Sequence, residues 1–211
     1  QAVMGLSVFW AVNQVLFATF GAHLKEVAGV TSTVVVQGLL AIGGLGIILG
    51  SITAGRLSKP RIETGVIPLA ALGMTLCLIL VPIMHNTWTL GLLLTIYGFF
   101  GGLFVVPLNA LIQFNAADKD LGTILAGNNF VQNVFMLVFL GATVVVSLMG
   151  LSSVPIMIFL AMILALATIY ALRQLIHPLM TFALRVLMTQ RYQLTVSGLE
   201  HIPLQGGVLL L

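Results

Sequence analysis

Charge is scarce in this sequence. Its 211 residues hold eight Lys and Arg and five Asp and Glu, 6% in all, where a soluble globular domain carries about 25%. So few charges cannot cover a water-facing surface. With 60% hydrophobic residues and a mean hydropathy of +1.18, the chain is built for hydrocarbon as its solvent. Cysteine is nearly missing: Cys77 stands alone, which excludes an internal disulfide and any Cys/His metal spacing. It reads as a small packing or lipid-facing residue. His23, His85, His177 and His201 lie far apart, and no two carboxylates share one apolar run. Neither catalysis nor a resident metal or cofactor is expected of these residues. The net charge of +3 does not point to nucleic acid, because every charged residue lies between or beyond the apolar runs. Such charges hold helix ends at an anionic membrane face.

What is present in quantity is long uncharged runs. About 20 mostly apolar residues cross about 30 Å of hydrocarbon as a helix, and six stretches qualify: Val3–Ala22, Val34–Gly55, Gly65–Met84, Thr87–Leu111, Thr123–Met149 and Val154–Leu172. The fold class expected is an all-α membrane protein of six transmembrane helices. Lys and Arg in short loops set its orientation. Arg56, Lys59, Arg61, Lys119, Arg173, Arg185 and Arg191 fall on one side, and Lys25, offset by Glu26, falls on the other. Both ends are therefore expected to be cytoplasmic.

Glycine is concentrated in the second run (Gly38, Gly43, Gly44, Gly46, Gly50, Gly55) and the fourth (Gly91, Gly98, Gly101, Gly102). Small residues let membrane helices approach closely, and also let them bend or slide; both readings stand. Pro107 is expected to kink the fourth helix. After Arg173, Pro178 is expected to break the chain's helix. Leu179–Gln190 then forms an amphipathic helix on the membrane surface, with Thr181, Arg185 and Thr189 in one polar line. Tyr192–Val196 alternates like a strand, Ser197-Gly198 supplies a turn, and Val208–Leu211 reads as a second, buried strand. The chain opens on Gln1 and stops inside that strand, so a piece of a longer protein is expected.

The polar residues at membrane depth are mostly amides. Asn128, Asn129, Gln132 and Asn133 of the fifth run fall within about 140° at 100° per residue, on one helix face. Four amides on one stripe turn away from lipid, toward other helices or toward a polar cavity. Asn13 and Gln14 lie in the first run, with Thr19 and His23 further along. Tyr97, Asn109 and Gln113 lie in the fourth, and Gln37 opens the second. The candidate path residues are Asn13, Gln14, Tyr97, Asn109, Asn128, Asn129, Gln132 and Asn133. Neutral amides suit a zwitterionic or bulky amphiphile better than a small ion. No Asp, Glu, Lys or Arg lies inside any run, so a site for a driving ion is expected outside these residues.

The loop Ala54-Gly55-Arg56-Leu57-Ser58-Lys59 resembles a degenerate copy of the Ala-Asp-Arg-x-Gly-Arg/Lys loop of the major facilitator superfamily, with Gly55 for the Asp and Ser58 for the Gly. Positive-inside anchoring alone also explains it. Gly101-Gly102-Leu103-Phe104-Val105-Val106-Pro107-Leu108-Asn109-Ala110-Leu111-Ile112-Gln113, Gly127–Asn133 and Ser7-Val8-Phe9-Trp10 resemble bacterial lysophospholipid transporters of that superfamily. The likeness runs over roughly Val3 to Arg173, so that residues 1–173 would form the transporter half. It implies the C-terminal half of a twelve-helix fold in the bacterial inner membrane, rocking against an N-terminal half. It also implies a lysophospholipid substrate, notably lysophosphatidylethanolamine, and a gating role for Arg56, Lys59 and Arg61.

Residues 174–191 then form a juxtamembrane segment. Thr195–Pro203 with Gly206–Leu211 resembles the opening of a glycerolipid acyltransferase domain, so residues 192–211 would begin that domain and the two activities would be coupled. The implied partners are lysophospholipid, membrane lipids and the other parts of the same polypeptide. Two alternatives stand beside this reading: the helices anchor an acyltransferase, or they carry a different substrate.

Overall fold

The structure, a computed structural model, describes residues 1–59, 61–117 and 119–191, and every regular element among them is helical. Six helices have the length and composition of membrane spans: α1 (Ala2–Ala28), α2 (Thr33–Leu57), α3 (Val66–Leu80), α4 (Thr87–Asn115), α5 (Leu121–Leu148) and α6 (Ser153–Gln174). A single 3-10 turn, Val81–Ile83, extends α3, and the shorter α7 (Ile176–Arg191) follows α6. The protein is an all-α, multi-pass membrane protein, as its apolar runs dictate. The expected strands at Tyr192–Val196 and Val208–Leu211 lie outside the described residues.

The helix ends have local causes. α1 runs beyond the apolar stretch, through Lys25 and Glu26, and stops where Gly29 adopts φ 66°. That left-handed position lets the Val30 N–H reach back to the Leu24 carbonyl at 3.2 Å. α4 begins where the Asn86 side chain accepts the Trp88 N–H at 2.8 Å. α5 ends at Leu148, two residues before Gly150, which adopts φ 75°.

α4 holds Pro107 in its interior and continues to Asn115. The expectation for Pro178 needs correction. Pro178 breaks nothing: the interruption falls at Leu175, and Pro178 sits in the first turn of α7. The first turn has no intrahelical acceptor for the N–H that proline lacks.

α1 is the central element. Leu6, Leu16, Phe20 and Leu24 are fully buried along it, and α4, α5 and α6 all pack against it. α3 packs between α4 and α6. It is tied to α6 by the Thr75 and Thr168 hydroxyls, 2.8 Å apart, both also directed at the Ala71 carbonyl.

α2 touches chiefly α4, through a crossing of backbone on backbone. A Cβ on Gly46 would overlap the Thr95 carbonyl, one on Gly50 the Phe99 carbonyl, and one on Gly98 the Gly43 carbonyl. At Gly102 it would overlap the backbone of Ile47 and Ser51. This is packing of the small-residue kind. Gly38, Gly44 and Gly55 have open space instead, so only part of the glycine wealth of α2 serves that contact.

Candidate functional site

Burial is unevenly shared among the helices. α1, α3 and α4 bury long lists of residues, whereas α2 buries only Leu39, Gly46, Gly50 and Ala54, and α5 only Asn128 and Gln132. Two spans thus present most of their surface outward from the bundle, and the only two buried side chains of α5 are amides.

The amide stripe divides along its width. Asn128 and Gln132 turn inward at 4% and 8% exposure, and α1 is the helix against which α5 chiefly packs. Asn129 and Asn133 are exposed, and Asn133 donates to the Asn129 carbonyl at 2.9 Å. One arc of α5 therefore carries a buried pair and an exposed pair, placed along the margin of the bundle.

A second polar pair lies across α1 and α4. Asn13 and Tyr97 are both buried and line one narrow cleft with Phe17, Leu40 and Gly43. The Asn13 Nδ2 donates to the Phe9 carbonyl of its own helix at 2.8 Å. The Tyr97 hydroxyl and the Asn128 Oδ1 are buried without a hydrogen-bond partner among the described residues. Burying such a group unpaired costs about 1–3 kcal/mol, which stable packing alone gives no reason to accept. Of the remaining candidates, Gln14 and Asn109 are half-buried, and Asn109 donates to Val105 at 3.1 Å. The structure brings Asn13 and Tyr97 together directly.

Arg56, Lys59 and Arg61 are exposed. The charge contact beside them belongs to a residue the sequence reading passed over. Glu63, 8% exposed, receives Arg185 of α7, and Gly65 lies under Pro178 and Phe182. α7 is thereby fastened to the α2–α3 connection. Thr181 is exposed, and so are Met180, Leu184 and Leu187.

An apolar crevice of about 460 Å³ opens between α1, α5 and α6, lined by Val15, Val138, Phe139, Val146, Ile156 and Phe159 among others. A second network missed in the sequence joins His23, Glu26 and Ser153 at the C-terminal end of α1. Its members stand 127 and 130 positions apart, so no local spacing signals it.

No family model matches the chain, and no solved structure matches it. Curated relatives do. The lysophospholipid transporter LplT of Photorhabdus laumondii is 30% identical over 141 residues, 66% of this chain and 35% of the relative. That of Klebsiella pneumoniae is equally similar over the same shares. That of Escherichia fergusonii is 29% identical over 167 residues, 79% of this chain and 42% of the relative. The chain thus spans between one third and about two fifths of the length of the curated relatives it matches.

Proposed function

We propose that this chain is the C-terminal six-helix half of a major facilitator transporter that flips lysophospholipids, such as lysophosphatidylethanolamine, across the bacterial inner membrane. The observation that carries the reading is the similarity to lysophospholipid transporters over 66–79% of the chain. The six spans and the amide margin support it. In this reading both ends of the chain are cytoplasmic, and an N-terminal half covers the outward surfaces of α2 and α5.

The substrate passes between the halves near the bilayer midplane. Asn13, Tyr97, Asn128 and Gln132 offer neutral donors and acceptors to the headgroup, joined by Gln14, Asn109, Asn129 and Asn133. Arg56, Lys59 and Arg61 form the cytoplasmic gating loop. Residues 192–211 open an acyltransferase domain that reacylates the imported lipid.

The test is the protein as expressed in full, reconstituted in vesicles with fluorescent lysophosphatidylethanolamine. Protein-dependent movement of the label between leaflets is the expected result, and movement no faster than in protein-free vesicles overturns the proposal.

A further inference from the structure

His23 is fully buried, yet both of its ring nitrogens have polar partners. Nδ1 lies 3.0 Å from the Ser153 hydroxyl at the start of α6. Nε2 lies 3.3 Å from the carbonyl of Val81, in the 3-10 turn after α3. The Ser153 hydroxyl in turn donates to Glu26 Oε2 at 2.6 Å, and the same carboxylate oxygen accepts the Ser153 backbone N–H at 2.9 Å.

Counting protons decides what this arrangement asks of the ring. A serine hydroxyl has one proton, and here it is given to Glu26. A carbonyl can only accept. While that proton stays on Glu26, both nitrogens of His23 are placed to donate, as only the imidazolium does; if it turns to Nδ1, the neutral ring serves instead.

We propose that His23 is a proton-binding site, filled from water through Glu26 and Ser153, whose occupancy fastens the end of α1 to α6 and to the turn after α3. The transfer balances without a co-reactant. Glu26 is exposed and takes a proton from water. Its carboxyl proton passes to Ser153 Oγ as the serine's own proton moves to His23 Nδ1. Glu26 is left as a carboxylate, facing the new cation through the hydroxyl.

When His23 is neutral, one tie is lost. Either Ser153 turns its proton to Nδ1 and releases Glu26 from its side chain, or the Val81 carbonyl loses its donor. The other charges near the ring are few. Lys25 beside Glu26 on α1 is exposed, and so is His85, before α4. Neither the first residues of α6 nor the turn Val81–Ile83 carries a titratable side chain.

This inference rests on the bundle alone and is independent of which substrate crosses the membrane. The test uses the protein as expressed in full, in liposomes, with histidine labelled with ¹⁵N and with spin labels at Lys25→Cys and Leu151→Cys in a Cys77→Ala background. The expected spectrum has one histidine, absent from His23→Gln, passing from one to two protonated nitrogens as the pH falls. The distance distribution between the labels narrows over the same interval, by at most about tenfold in population per pH unit for a single proton.

In His23→Gln the distribution is unchanged by pH. In Glu26→Gln, an exposed position whose substitution leaves the packing intact, the transition is displaced. A His23 ring that keeps one protonated nitrogen throughout overturns the proposal. So does a pH-dependent narrowing that survives in His23→Gln.

Discussion

Arg185 of α7 donates to the carboxylate of Glu63 in the α2–α3 connection, across 122 positions of sequence. Glu63 is nearly buried, and the Arg185 side chain is about one-third exposed, so the pair lies between the surface and interior regimes. Removing either partner should cost about 1–2 kcal/mol, above a surface pair and below a buried one. Glu63→Gln and Arg185→Ala should each lower the melting temperature in detergent. The double variant should cost less than their sum, the signature of direct coupling. Strict additivity would show that the two side chains act independently.

The α2–α4 crossing predicts a sharp contrast among glycines. Gly50→Ala would drive a methyl group into the Phe99 carbonyl, whereas Gly44→Ala and Gly38→Ala meet open space. Overpacking of this kind costs about 1–3 kcal/mol. Thermal unfolding in detergent should place Gly50→Ala well below the parent, with Gly44→Ala at or slightly above it. Equal effects at the two positions would mean that α2 and α4 do not meet in this register.

The six spans were legible because hydrocarbon thickness and the cost of an unpaired backbone leave a long uncharged run few alternatives. The glycines were legible as small residues, but which of the six in α2 face α4 depends on the crossing, which only packing decides. Pro178 misled because proline breaks a helix interior and not its first turn. On α5 the common face of the four amides followed from periodicity. Its division into a buried and an exposed pair follows from how α5 packs on the bundle. Nothing local pairs Glu63 with Arg185 or His23 with Ser153, because tertiary approach alone creates those contacts.

Tyr97 separates stability from function. Its hydroxyl is buried without a partner among the described residues, so Tyr97→Phe removes an unsatisfied group at no loss of contact, and stability should hold or rise slightly. If the hydroxyl meets the lipid headgroup in transit, lysolipid movement should fall about tenfold, the value of one hydrogen bond of about 1.4 kcal/mol. Unchanged movement would remove Tyr97 from the path.

The buried amides make a parallel prediction. Asn128→Leu and Gln132→Leu should leave expression intact and depress lysolipid movement by more than about tenfold. Retained movement would reduce these amides to interhelical packing and favour a bundle that serves as an anchor.

In the proposed transporter the margin of α5 faces a polar passage rather than acyl chains. Cysteines placed singly at Asn129 and Asn133, in a Cys77→Ala background of the protein as expressed in full, can be treated in vesicles with a membrane-impermeant thiol reagent. Leu76→Cys, at an exposed apolar site on α3, serves as the lipid-facing control. Asn129→Cys and Asn133→Cys should react, lysophosphatidylethanolamine should protect both, and Leu76→Cys should stay unmodified. Labelling at the two α5 positions as slow as at Leu76→Cys, with or without lysolipid, would contradict the polar passage.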